Sequence, residues 1–270
     1  MGNRCFRIAP LVMLAGLLSG GAARAETVDL ALVFAVDVSG SVDDEEALLQ
    51  RDGYIRALTD PRVIAAIQHG KQGRIAATYF EWAGFHYQNT LVDWQVISDV
   101  NSAGEFARRI AAAPRIEEMY TSISGAIDFG IRRLAENPHT GLRQAIDISG
   151  DGANNSGDLL PAARDRAARL DITINGLPIV NDRPSRFGRR QIANLDLYYR
   201  DCVIGGPRAF LIVANGFLDF ARAIRRKLIL EIADRQPADG GNKPPLIRAA
   251  LAQSPGCDAG ELRMRDVDEF

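Results

Sequence analysis

The chain is poor in the residues on which most reactive motifs depend. Histidine occurs only at His69, His86 and His139, without zinc-ligand spacing, which excludes a histidine-built zinc centre. The three cysteines, Cys5, Cys202 and Cys257, form no C-x-x-C pair, which excludes that dithiol redox motif, and they are too few for a disulfide-dependent scaffold. Lysine is confined to Lys71, Lys227 and Lys243. There is no G-x-S-x-G elbow, no Walker A loop and no G-x-G-x-x-G fingerprint, so the common hydrolase, nucleotide and dinucleotide signatures are missing. Nor is there a basic surplus: 32 Lys and Arg stand against 34 Asp and Glu. A charge-driven grip on nucleic acid or on an anionic membrane is excluded.

What is present begins with a leader. Arg4 and Arg7 precede the apolar run Ile8 to Leu18, and Ala23-Arg24-Ala25 supplies small residues at cleavage-site spacing. This pattern predicts a secretory signal peptide, 1–25, cut after Ala25. The run is too short to span a bilayer, so no stable membrane span is expected after cleavage. Removal leaves 245 residues with 29 basic and 34 acidic side chains, since the leader carries three Arg and no acid. That length suits one large domain. Cys202 and Cys257 then remain, either paired in an oxidising compartment or as one buried and one tail thiol.

Strand and helix patterns alternate along the mature chain. Buried strands are expected at Val28 to Val36, Arg74 to Trp82, Gln144 to Ser149, Asp171 to Leu177 and Ala209 to Ala214. Asn89 to Ile97 reads as a further strand, and its short link around Gly84 permits only antiparallel pairing with the strand before it. Helices are expected from Asp43 with a capping box to Glu46, from Pro61, over Ser102 to Ala113 with Ser102 as cap, over Thr121 to Glu136, Leu159 to Leu170 and Phe217 to Ile232. A short helix is expected within Gln191 to Tyr199. The pattern predicts an α/β class: a doubly wound, mainly parallel sheet with one antiparallel edge strand and helices on both faces. The domain is expected over 26–234. Residues 235–270, rich in Pro, Gly and charge, read as a loosely structured tail. The arginines Arg183, Arg186, Arg189 and Arg190 fall in a polar stretch read as a solvated surface loop, the alternative being an anion or partner contact near the site.

Three loops are chemically loaded. Asp37-Val38-Ser39-Gly40-Ser41 follows the first strand, Thr121-Ser122-Ile123-Ser124 opens a helix, and Ser149-Gly150-Asp151-Gly152 follows a later strand. Asp37, Ser39, Ser41, Thr121 and Asp151 carry hard oxygens of the kind that Mg²⁺, Mn²⁺ and Ca²⁺ prefer. The edge of an open α/β sheet at its carboxyl ends is where such folds bind ligands. This ordered set resembles the von Willebrand factor type A domain and its metal-ion-dependent adhesion site. The sequence Asp151-Gly152-x-Asn154-Asn155, with the later Tyr198-Tyr199-Arg200-Asp201-Cys202, resembles a bacterial secreted, DUF1194-like subgroup of that family.

The resemblance implies a divalent cation held by the five residues, directly through Ser39 and Ser41 and often through water at the two aspartates. A partner protein would complete the coordination with an Asp or Glu carboxylate. It also implies a periplasmic or secreted location and a binding role, not catalysis. Gly150 departs from the family pattern at the position before Asp151, and is expected to loosen that loop. The enzyme rival is a haloacid-dehalogenase-like, Mg²⁺-dependent phosphatase, whose third loop Gly150-Asp151-Gly152-Ala153-Asn154-Asn155 would fit. Its mechanism needs a second acid two residues after the first, where Ser39 stands, and a lysine between Thr121 and Gly150, where there is none. The structural rival is a secreted domain whose metal only stabilises the fold.

Overall fold

A computed structural model describes residues 25–268 except 117, 182, 185–187, 189 and 236–252. Apart from Ala25, the expected leader lies outside the described residues. The elements in chain order are β1 (Thr27–Val28), β2 (Leu30–Asp37), α1 (Asp44–Leu58), α2 (Pro61–Gln68), β3 (Ile75–Trp82), β4 (Gln88–Ile97), α3 (Val100–Ala112), α4 (Ile123–Ala135) and β5 (Thr140–Gly141). Then come β6 (Gln144–Gly150), α5 (Leu160–Arg169), β7 (Thr173–Val180), α6 (Leu195–Tyr198), β8 (Ala214–Asn215), α7 (Phe220–Ile232) and α8 (Ala259–Asp268). Six strands form one sheet in the order β4-β3-β2-β6-β7-β8. Every pairing in it is parallel except β3 with β4 at the edge. The α/β class, the mainly parallel sheet and its antiparallel edge pair are as expected. Strands β1 and β5 add a small parallel pair at one side.

Strand β2 is apolar at nearly every position because both of its faces are covered. Leu30, Leu32, Phe34 and Val36 pack with α1, α2, α3 and α7, while Ala31, Val33 and Ala35 pack with α4, α5 and α6 on the other side. The alternation is the period of a strand, so both cores follow from one run of sequence. The chain builds outward from β2 to β3 and β4, then crosses back to β6. The sheet direction therefore switches between β2 and β6, and it opens a crevice at their carboxyl ends.

Several boundaries move for local reasons. Helix α3 begins at Val100 because Asp99 takes the cap, and Ser102 sits three residues in as its reciprocal partner. Helix α4 begins at Ile123 because Ser122 Oγ accepts from Gly125 N (3.1 Å), which leaves Thr121 on the loop. The last strand shrinks to Ala214–Asn215, since the Phe210 N–H goes to the Asn175 side chain of β7 (3.0 Å) and only an isolated bridge, Gly176 with Leu211, joins this stretch to the β7 backbone. The short helix contracts to α6 and runs into a π-helical turn at Tyr199–Val203.

Within 235–270, residues 253–268 carry definite structure where a loose tail was expected. Cys202 and Cys257 are joined by a disulfide, and α8 follows directly. Asn194 Nδ2 donates to the Gln253 carbonyl (3.1 Å), and Tyr198 Oη to that of Cys257 (3.4 Å). A covalent tie across 55 residues is invisible to local periodicity. On the far side, Lys227 of α7 is fully buried, with Nζ 2.7 Å from Asp147 Oδ2 of β6 and 3.1 Å from Glu231 Oε2. Among the described residues no helix is long and apolar enough to cross a membrane.

Candidate functional site

The five oxygen-bearing residues meet at the crevice between β2 and β6. Asp37 ends β2, and its Oδ1 accepts from Ser39 N (2.8 Å), which curls the loop back over the strand end. Gln50 of α1 donates to the Asp37 carbonyl (3.1 Å) and fixes the turn from below. Ser39 Oγ then lies 3.1 Å from Ser41 Oγ and 3.3 Å from Thr121 Oγ1. Ser41 Oγ donates to Asp151 Oδ1 (2.5 Å). Tyr120 holds φ +66°, a left-handed turn unusual for a non-glycine residue, just before Thr121 enters the site.

The two carboxylates carry the electrostatic signature of the site. Burial pushes the Asp37 carboxyl up to about 8, and the neighbouring Asp151 adds to the rise against the pull of the Ser39 hydrogen bonds. Burial likewise raises Asp151 to about 6, opposed by the Ser41 hydroxyl and supported by Glu46. Asp37 Oδ2 and Tyr199 Oη are both buried and have no hydrogen-bond partner among the described residues. Buried, mutually repelling carboxylates with an orphaned oxygen are costly unless a cation or a proton compensates them.

The donor set fits a hard divalent ion. Oxygens around an octahedral ion with metal–oxygen distances of about 2.1 Å lie about 3 Å apart. The hydroxyl separations here are of that size. Among the described residues no three of His, Cys, Asp or Glu converge, so the cluster consists of two carboxylates and three hydroxyls.

Gly150 does not loosen its loop. It is the last residue of β6, paired in register with Pro178. A Cβ there would come within 2.7 Å of Asp37 Oδ2 and 2.8 Å of Tyr199 Oη. Glycine is required because Asp37 and Tyr199 crowd the backbone.

Several residues that support the site were not singled out for it. Asn155 Oδ1 accepts from Thr121 N (2.8 Å) and its own N–H returns to the Thr121 carbonyl (2.8 Å). Asn154 Oδ1 accepts from Ser124 N (2.9 Å), and its Nδ2 donates to Glu261 Oε1 of α8 (2.7 Å). Gln191 Nε2 donates to the Asp151 and Ile179 carbonyls (2.7 Å each). The Asn154-Asn155 pair was visible as a motif; its work as a brace between loops was not.

Comparison with solved proteins places this architecture. Proximal thread matrix protein 1 from the mussel byssus matches over 78% of this chain and 49% of its own, at 12% identity and a TM-score of 0.53. A second structure of it, described as having a zinc-occupied MIDAS motif, matches at a TM-score of 0.52. The pilus adhesin SpaC of Lactobacillus rhamnosus GG matches over 78% of this chain and 31% of its own, at 12% identity and 0.56. A protein described as von Willebrand factor type A from Catenulispora acidiphila covers 77% of this chain and 43% of its own, at 11% identity and 0.49. The chain thus spans half or less of the length of these solved proteins. No curated protein matches the sequence.

The α/β fold is von Willebrand factor type A-like and is shared with the mussel protein and the pilus adhesin. More narrowly, the chain belongs to the family described as "Protein of unknown function (DUF1194)", whose model matches residues 27–236.

Proposed function

We propose that this protein is a divalent-cation-dependent protein-binding domain, periplasmic or secreted, and not an enzyme. The observation that carries the reading is the convergence of Asp37, Ser39, Ser41, Thr121 and Asp151 at the sheet's switch point, with one buried carboxylate oxygen left unpartnered. In this reading the three hydroxyls and two carboxylates hold Mg²⁺, Mn²⁺ or Ca²⁺. The ion supplies an electrophilic centre that a partner's Asp or Glu carboxylate completes. Asp37 and Asp151 offset the ion's charge, Tyr199 and Gly150 shape the floor, and Asn154 and Asn155 brace the loops. The solved neighbours support the reading by their descriptions: one is an adhesin, and one held zinc in a MIDAS motif. Residues 26–234 would be the binding unit, preceded by a cleaved leader.

Calorimetric titration of Mg²⁺ and Mn²⁺ into the purified protein, beside Asp37→Ala and Asp151→Ala, tests this. Saturable binding by the parent, abolished in both variants, is the expected outcome. A folded parent that binds neither ion overturns the reading.

A further inference from the structure

The cleft above the site has a chemistry of its own. Its volume is about 810 Å³, room for several residues of a partner and not for one carboxylate alone. Ser41, Thr121 and Asp151 form its floor. Met119 and Tyr120, both about half exposed, form an apolar wall. Arg183, Arg190 and Arg263 also line it, and all three are exposed.

These basic residues come from two distant parts of the chain. Two described residues that flank Arg183 and Arg190 are fixed: Asn181 Nδ2 donates to Glu46 Oε1 (2.8 Å), and Gln191 Nε2 donates to the Asp151 and Ile179 carbonyls. Arg263 comes from α8, which the Cys202–Cys257 disulfide delivers to the cleft. The helix is seated there by the Asn154–Glu261 hydrogen bond and by Gly260 lying directly on the Asn154 carbonyl, where a Cβ would come within 2.0 Å. Acidic groups also lie near these arginines: Glu46 acts on Arg183, and Glu261 lies on the same helix as Arg263. Glu261 is engaged by Asn154 and Glu46 by Asn181, and Arg190 and Arg263 are basic residues of the cleft lining.

Resting on the metal-dependent reading above, we propose that the C-terminal segment forms a second subsite, and that the partner is a segment bearing more than one carboxylate. One carboxylate meets the ion; the next ones along the segment meet Arg263 and Arg190. Guanidinium groups suit this role because their planar fork pairs carboxylates in two-point contacts. Met119 and Tyr120 give the segment's apolar side chains a contact in the same cleft.

The test uses two synthetic peptides, one with a single Glu among Ser and Gly and one with three Glu residues, titrated into the full protein at saturating Mg²⁺. Exposed pairs contribute roughly 2- to 5-fold each, so the three-Glu peptide is expected to bind on the order of 10-fold more tightly. The variant carrying both Arg190→Gln and Arg263→Gln is expected to lose that preference. Equal affinity for the two peptides in the parent, or a preference that survives in the double variant, overturns the inference. The Mg²⁺ isotherm of the same samples separates the two levels. A lost or absent preference with intact Mg²⁺ binding defeats the basic subsite alone, whereas absent Mg²⁺ binding defeats the underlying reading and the subsite with it.

Discussion

Gly150 shows how a single residue sets the site. Its hydrogen stands where a methyl group would press on Asp37 Oδ2 and Tyr199 Oη. Gly150→Ala is therefore expected to displace the Asp37 carboxylate, with an overpacking cost of about 1–3 kcal/mol. Metal titration should show at least a tenfold loss of affinity, while circular dichroism keeps the α/β spectrum. Unchanged affinity would mean that Asp37 Oδ2 takes no part in binding. The neighbouring Asn155 is a second lever, because it holds Thr121 by two hydrogen bonds of 2.8 Å. Asn155→Ala should weaken metal binding without removing a ligand, by letting Thr121 swing away from Ser39. Neither effect can be read from residue type. Glycine before an aspartate looks like slack until the packing around it is seen.

At the scale of elements, two contacts decide how the domain holds together. Helix α7 is tied to β6 by Lys227, whose ammonium sits between Asp147 and Glu231 in a site with no solvent access. Glu231 is further engaged by Asn175 Nδ2 (2.5 Å). Removing the lysine strands two carboxylates in the core. Lys227→Met is therefore expected to destabilise the protein by about 3–5 kcal/mol in urea unfolding. Replacing Lys227, Asp147 and Glu231 together by apolar residues should cost far less, because no charge is left unpaired. The second contact is the disulfide that brings α8 to the cleft. Reductant should raise amide exchange over residues 259–265, while β2 and β6 stay protected. Equal protection with and without reductant would mean that the Asn154–Glu261 bond and the Gly260 contact suffice to hold the helix.

For the molecule as a whole, the buried carboxylates govern the response to pH. Burial is the main cause of raised values at Asp37 (about 8), Asp147 (about 7) and Asp151 (about 6), against 3.8 when exposed. Below pH 4 these groups are protonated folded or unfolded, so they take nothing from stability. As pH rises from about 4 toward 8, the unfolded chain releases their protons freely and the folded chain resists. Stability of the metal-free protein therefore falls across that window. Surface acids act the other way: Asp60 beside Arg62 and Asp219 beside Arg222 titrate below their usual range, so their support is lost on acidification. In calorimetric melts with a chelator present, Tm should be higher at pH 5 than at pH 8.5. Mg²⁺ should raise Tm more at pH 8.5, because binding requires Asp37 and Asp151 without their protons. A Mg²⁺ shift equal at both values would separate these carboxylates from the metal.

The division between what the chain states locally and what folding adds follows physical lines. Apolar runs of strand length, capping residues and helical spacing determined the α/β class, the antiparallel edge pair and the order of the three oxygen-bearing loops. Each of these depends on neighbours a few residues apart. The same locality marked Asp37, Ser39, Ser41, Thr121 and Asp151 as candidates, because Asp-x-Ser-x-Ser at a strand end is a short-range pattern. Only the tertiary structure decided that the Ser39 and Thr121 hydroxyls lie 3.3 Å apart and that Ser41 reaches Asp151 at 2.5 Å, since that depends on the ends of β2 and β6 and the start of α4 meeting at the switch point. It also decided that Gly150 is a steric necessity, that Lys227 is a buried counter-ion and that α8 reaches the cleft. Those facts rest on contacts between residues 49 to 113 positions apart, which no local pattern of side chains encodes.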